Sequence, residues 1–258
     1  MSLDLALVTG ASSGIGEASV HRLVALGYRV LAAGRRMERL EALALQFPAG
    51  VCVPVLLDVT SEESVAALAD LLGVGPLHVL VNSAGLSRGL APLEHAPEAH
   101  WRAMMETNVM GLYRVTRTVM PHLRRACERR RADGTPGHSH LVNIGSIAGF
   151  QNYVGGSGYA ASKHAVRAIS QTLRLELVGT PIRVTEINAG LVETEFSLVR
   201  FDGDAEKAAK PYAGIEPLVA EDIADLVAFA VSRKPHVNID EIVVKPIRQA
   251  SVSVVVRG

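Results

Sequence analysis

The sequence predicts one α/β domain, doubly wound around a parallel sheet of seven strands. Strand-like and helix-like apolar runs alternate from end to end, and repeated βα units build such a sheet with helices on both faces. A glycine-rich turn links the first strand directly to a helix. No internal repeat or domain linker interrupts the 258 residues, an ordinary length for a single domain.

Leu5 to Thr9 is an apolar strand, followed by Gly10-Ala11-Ser12-Ser13-Gly14-Ile15-Gly16 and a helical pattern through Val20, Leu23, Val24 and Leu26. Such a turn lets backbone amides and the helix dipole hold a pyrophosphate. Its Gly-x-x-x-Gly-x-Gly spacing departs from the common dinucleotide fingerprint. Taken alone it is equally an ordinary tight βα turn. Arg29 to Ala33 is the second strand, and Val51 to Leu57 the third after a helix through Leu40, Leu43 and Leu45. Thr60-Ser61-Glu62-Glu63 reads as a capping box opening a helix through Val65, Leu68 and Leu71. His78 to Val81 is the fourth strand and ends in Asn82-Ser83-Ala84-Gly85. Two helices follow, around Trp101 to Val109 and from Leu112 to about Arg130. Arg131 to Ser139 is a polar loop, and Leu141 to Ile144 the fifth strand. The next helix carries Tyr159 and runs through Ala165, Ile169, Leu173 and Leu177. Arg183 to Ile187 is the sixth strand, and Ile242 to Val244 the seventh after a helix through Ile223, Leu226 and Phe229. Thr194 to Tyr212 is too long for a simple connector. It reads as a lid at the carboxyl ends of the strands, where open α/β sheets bind ligands.

Tyr159 and Lys163 are four residues apart, so their side chains share a helix face. An ammonium about 4 Å from a phenol at an effective dielectric of ~20 favours the phenolate by ~4 kcal/mol, roughly three pKa units. That is an upper figure, since lysine solvation offsets part of it. Even a smaller shift makes Tyr159 a usable acid/base. The plain alternative is a chance pair on a solvated face.

Composition narrows the class. A formal charge of zero with 48% hydrophobic residues fits a globular protein and argues against nucleic-acid or anionic-membrane binding. The basic run Arg124, Arg125, Arg129, Arg130, Arg131 then reads as a solvated helix end. No apolar run approaches the ~20 residues of a membrane span. The first strand starts close to Met1 with Asp4 interrupting it, so no signal peptide fits. Cys52 and Cys127 are unclustered and suit a reducing cytoplasm. His138-Ser139-His140 reads as loop, and no metal is expected.

With these residues in view, the whole chain resembles the short-chain dehydrogenase/reductase family, with its Rossmann-like fold. The matching motifs are Thr9-Gly10 through Gly16, Asn82-Ser83-Ala84-Gly85, Asn108, Ser146, and Tyr159 with Lys163, in the family's order. Gly190 to Phe196, Val199-Arg200-Phe201-Asp202-Gly203-Asp204 and His236 to Ile239 resemble its NADP-dependent 3-hydroxy acid dehydrogenases, which act on serine and related acids. The resemblance implies Tyr159 as general acid/base, Ser146 bonding the reacting oxygen, Lys163 holding the nicotinamide ribose, and Asn108 keeping a water in the proton relay. Ser146 is also explicable as turn chemistry, and Asn108 as a helix-end residue.

For the cofactor, the resemblance implies Gly10, Ser12, Gly14, Ile15 and Gly16 around the pyrophosphate. It puts Asp58 beside Val59 on the adenine amino group, and Asn82, Ala84 and Gly85 along the adenosine side. Val192 and Thr194 would then lie by the nicotinamide carboxamide. The second strand ends Ala33-Gly34-Arg35-Arg36, without the acid that would bond an NAD ribose. A preference for NADP(H) is therefore expected, carried mainly by Arg35 with help from Arg36. Tyr153 is a candidate substrate-facing aromatic or part of a surface turn. A hydroxy acid needs its carboxylate held, and Arg200 is the candidate clamp; the alternative is an exposed arginine paired with Asp202 or Asp204. The expected substrate is a small hydroxy acid or carbonyl. The competing functions are a broad carbonyl or 3-oxoacyl reductase and a non-catalytic NADP-binding sensor.

Two departures from the family pattern stand out. Ser83 replaces a second Asn, and Ala189-Gly190 replaces Pro-Gly, which frees a backbone φ and implies a looser nicotinamide loop. The resemblance also implies a homotetramer pairing the helix after Gly111 and the Tyr159 helix. An apolar tail, Val252 to Val256, would be an awkward exposed edge in a monomer.

Overall fold

The computed structural model describes residues 3–128, 134 and 136–258. The expected helix end and basic run at Arg129, Arg130 and Arg131, with part of the loop after them, lie outside the described residues.

Seven parallel strands, β1 (Leu5–Thr9), β2 (Arg29–Gly34), β3 (Cys52–Leu56), β4 (Val79–Asn82), β5 (Ser139–Ile144), β6 (Ile182–Ala189) and β7 (Glu241–Val244), form one sheet. Their order is β3-β2-β1-β4-β5-β6-β7. Alternation along β1 sends Ala6 and Val8 to one face and Leu7 to the other. The first face is covered by α1 (Gly14–Ala25) and α9 (Ala220–Val231), through Val20, Leu23, Ile223 and Val227. The second is covered by α3 (Glu62–Leu72) and α5 (Leu112–Glu128), through Val65, Leu68, Val115, Val119 and Leu123. α2 (Met37–Ala44) follows β2, α4 (Glu98–Met105) precedes α5, and α6 (Ser157–Glu176) follows β5. Strand order reverses between β1 and β4, which opens a crevice at their carboxyl ends. Among the described residues no helix is long and apolar enough to cross a membrane.

Several local expectations are corrected. Ser61, not Thr60, caps α3, accepting from the Ser64 amide at 3.1 Å. Leu71 and Leu45 point to solvent, and Leu72 takes the buried place. Gly111 does not break the helix after Val109, because a π-helical turn, Glu106–Gly111, joins α4 to α5. Glycine is required there because a Cβ would meet Val59 Cγ2 at 2.6 Å. The buried stripe of α6 runs through Ser162, Val166 and Ser170, leaving Ala165 and Ile169 half-buried. Ser139 and His140 open β5 rather than lying in a loop, and the buried His140 Nε2 bonds Thr185 Oγ1 at 2.7 Å. The tail does not present a sheet edge: Gln249 and Val255 pair antiparallel, and Val256 N donates to Arg248 O at 2.9 Å.

Gly16 lets α1 start against the turn, since a Cβ there would overlap the Gly10 carbonyl oxygen. Backbone cannot swing aside as a side chain can. Gly16→Ala is expected to cost about 1–3 kcal/mol by overpacking. The check is a lower urea midpoint at unchanged slope.

Candidate active site

The crevice holds a cleft of about 530 Å³ lined by the loops after β1, β2, β3, β4, β5 and β6. At its cofactor end, Gly10 and Gly14 take positive φ, 68° and 54°, as a tight β-to-α turn demands. Ser13 is the N-cap of α1 and makes no side-chain capping bond, leaving the first amides of the helix open for an anion. Thr9 Oγ1 accepts from the Ser83 and Ala84 amides, both at 3.1 Å, and so ties the end of β4 to β1. Ser83 serves that junction through its backbone.

The second strand delivers its two arginines to different places. Arg36 folds over the glycine turn, donating from Nε to Ser12 Oγ at 3.1 Å and from NH2 to Ser13 Oγ at 2.6 Å. Arg35 is exposed at the rim, makes no hydrogen bond among the described residues, and lies near enough to act on Asp58. Burial pushes the Asp58 carboxyl up, but hydrogen bonds from Thr60 N and Oγ1, with the Arg35 charge, hold it below the ordinary range.

At the catalytic end, β5 runs out at Ile144 and turns through Gly145 and Ser146. Ser146 N donates to Asn188 Oδ1 at 3.0 Å, and Ser146 Oγ accepts from Ala148 N at 3.1 Å. The Ser146 hydroxyl also hydrogen-bonds the Tyr159 phenol. Lys163, from the same face of α6 as Tyr159, is buried and donates to the Ile144 carbonyl at 2.8 Å. Its Nζ stands 5.9 Å from the Tyr159 ring centre.

That geometry corrects the expected depression of the tyrosine. Burial pushes the Tyr159 phenol above its ordinary value, outweighing the Ser146 bond and the Arg200 charge that pull it down. Lys163 is turned to a carbonyl, and burial lowers its own pKa to about 8 against the pull of Glu186. The cation that bears on the phenol in the free protein is therefore Arg200.

Arg200 lies in the segment expected as a lid, which folds into α7 (Phe196–Arg200), α8 (Ala205–Ala209) and a 3-10 turn at Lys210–Tyr212. Its guanidinium carbon sits 5.6 Å from the Tyr159 ring centre and 5.7 Å from that of Tyr153. Nε donates to Ser87 Oγ at 3.0 Å, and NH2 to the Tyr153 hydroxyl. The expected partners go elsewhere: Asp202 pairs with Arg88 at 2.6 Å and Asp204 with Lys207 at 2.8 Å. Tyr153 faces the cleft rather than a surface turn.

Of the expected site residues, Gly16, Asn82 and Asn108 do not line the cleft; the others do. Asn82 is buried and donates to Thr116 Oγ1 at 3.0 Å and Asn143 Oδ1 at 2.9 Å. Asn108, held inward by the π turn, accepts from Leu86 N and donates to Leu86 O, both at 2.8 Å, and donates to Ser162 Oγ at 3.0 Å. Ala189 is the buried last residue of β6, and Leu191 N is bound by Gln249 Oε1 at 2.8 Å, so the loop is tied at both ends rather than loosened. Sequence reasoning missed Ser13, Glu195, Phe196, Gln249 and Arg257 in the lining. Adjacency to Thr194 flagged the region of Glu195 and Phe196; nothing flagged the tail residues.

Comparisons with known proteins agree with this architecture. The short chain dehydrogenase family model matches residues 4–203. An uncharacterized oxidoreductase of Mycobacterium tuberculosis is 47% identical, covering 96% of this chain and 93% of the relative. An NADP-dependent 3-hydroxy acid dehydrogenase of Salmonella typhimurium is 42% identical, covering 95% and 96%. A closed form of serine dehydrogenase complexed with NADP+ superposes with a TM-score of 0.87 at 38% identity, covering 98% of this chain and 99% of that one. A family match spanning the glycine turn, the β4 end and the Ser146, Tyr159 and Lys163 cluster leaves one assignment: the chain belongs to the short-chain dehydrogenase family.

Proposed function

We propose that the chain moves a hydride between the nicotinamide of NADP(H) and the hydroxyl-bearing carbon of a small 3-hydroxy acid such as serine, with Tyr159 as general acid/base. The cleft fits that cofactor. Gly10 leaves no room for a Cβ against Ala84 N at 2.9 Å, α1 offers open amides, and Arg36 stands over the turn. The activities named for the Salmonella relative and the serine dehydrogenase structure support the same cofactor and reaction class.

The substrate class rests on Arg200. Its guanidinium lies over the catalytic tyrosine, and among the described residues no carboxylate pairs with it. A substrate carboxylate accepting two parallel bonds there would bring the adjacent hydroxyl carbon towards Tyr159 and Ser146. In oxidation Tyr159 takes the hydroxyl proton, and Ser146, braced by Asn188, fixes the oxygen. Lys163 holds the nicotinamide ribose, and Asn108 orders the proton relay behind it. Acting within the lid of residues 194–212, Arg200 closes the site over the acid. In the same reading the protein is a cytoplasmic homotetramer. Exposed Tyr113 on α5 and Leu175 on α6 support the pairing of those helices, and free Cys52 and Cys127 suit the compartment.

Arg200→Met is expected to lower kcat/KM for a hydroxy acid by about 10²-fold more than for a neutral alcohol of matched size, which loses only the pull of Arg200 on the phenol. Equal losses on both, or none, reject the clamp. Selective loss on neutral carbonyls would favour the broad reductase instead.

A further inference from the structure

Glu195 joins the two ends of the cleft. Its Oε2 accepts from Arg36 NH1 at 2.8 Å and its Oε1 from Arg39 NH1 at 2.6 Å. Arg36 turns its Nε and NH2 donors to Ser12 and Ser13, so the carboxylate takes NH1. Hydrogen bonds from Arg39 and Arg36 hold the Glu195 carboxyl down at about 2, which keeps it charged at any working pH. On one side of Glu195, Thr194 rests on the glycine turn, where a Cβ on Gly14 would lie 3.2 Å from Thr194 Cγ2. On the other, the Phe196 ring meets the Tyr159 ring edge-on, centroids 5.5 Å apart. The ion pair therefore pins an aromatic cover onto the catalytic tyrosine.

We propose that Glu195 occupies the anion position that the 2′-phosphate of NADP(H) takes, so that only a cofactor bearing that phosphate releases the Thr194–Phe196 stretch from Tyr159. This rests on the proposed use of NADP(H) and takes Arg36, expected to assist Arg35, as a 2′-phosphate partner. A phosphate dianion carries more charge and more acceptor oxygens than a carboxylate, and it needs the same guanidinium donors. A ribose hydroxyl is uncharged and has no means of displacing a carboxylate from two arginines. Cofactor selection and opening of the site thus become one event. NAD(H) would bind to a site whose cover stays shut.

The test uses 2′,5′-ADP and ADP, which differ by the 2′-phosphate and lack the nicotinamide. Binding is measured by calorimetry, and hydrogen exchange is followed across residues 194–200. Glu195→Gln is expected to tighten 2′,5′-ADP by about three- to tenfold, the scale of exposed ion pairs, with ADP unchanged. In the wild-type protein 2′,5′-ADP should raise exchange at Phe196 and ADP should not. Arg36→Gln should weaken 2′,5′-ADP at least about tenfold. Should Arg36→Gln weaken it while Glu195→Gln weakens it too or leaves it unchanged, Glu195 orients Arg36 rather than competing, and the proposal alone is overturned. Should Arg36→Gln leave 2′,5′-ADP unaffected, the 2′-phosphate reading fails and takes the proposal with it.

Discussion

Tyr159→Phe is expected to lower kcat by about 10²–10⁴, the range of a lost general acid/base, while leaving the dissociation constant for NADP⁺ within about twofold. The substitution removes only the phenolic hydroxyl, and with it the transferable proton. The ring keeps its edge contact with Phe196 and its place under Arg200 and beside Lys163. The pH profile adds a second reading. Oxidation needs the phenolate, and burial holds the phenol above its ordinary value in spite of the Ser146 bond and the Arg200 charge. kcat/KM for oxidation should therefore climb with pH through the neutral and alkaline range, and that limb should vanish in the variant. Near-normal turnover in Tyr159→Phe would remove the residue from the mechanism.

How far the sequence reached depended on the range of the interactions. The glycine turn and the Tyr159–Lys163 pair were legible because both are local: positive φ at Gly10 and Gly14, and one face of one helix. The parallel sheet with helices on both faces followed from repeated βα units, though the order of its strands did not. Charge partners were not legible. Spacing left open whether Arg200 clamps a substrate or pairs with Asp202 or Asp204, whereas the chain gives those carboxylates to Arg88 and Lys207 and turns Arg200 inward. The sequence puts Arg35 ahead of Arg36, whereas Ser12 and Ser13 across the crevice engage Arg36. Glu195 lies 159 residues from Arg36, beyond any periodicity. The Lys163 effect on Tyr159 was overstated for a related reason. A shared helix face does not fix where a long side chain ends, and the Ile144 carbonyl captured the ammonium.

The floor of the site should also make stability depend on pH through Glu186. This β6 residue is 2% exposed, and its Oε1 has no hydrogen-bond partner. It lies under the Gly145 turn, where a Cβ on Gly145 would come within 2.6 Å of Glu186 Oε1. Burial and then the neighbouring Glu241 charge push its carboxyl from 4.5 to about 7, against the pull of Lys163, Arg167 and Ser170. A carboxyl raised in the folded state binds its proton more tightly there than in the unfolded chain. Its stabilisation is complete below pH 4.5 and is lost as pH rises to about 7. At about 1.4 kcal/mol per pH unit that window amounts to about 3 kcal/mol. His140 acts oppositely: burial, with the charges of Arg183 and His138, holds it well below its ordinary value, so its contribution grows as pH rises towards 6.5. The raw wild-type curve therefore mixes two slopes, and a difference isolates one. Glu186→Gln, an uncharged isostere, should match the wild type near pH 4.5 and become the more stable protein as pH approaches 8. Urea midpoints taken across that range decide the matter, because curves that stay parallel would mean Glu186 carries no proton from the unfolded chain into the fold.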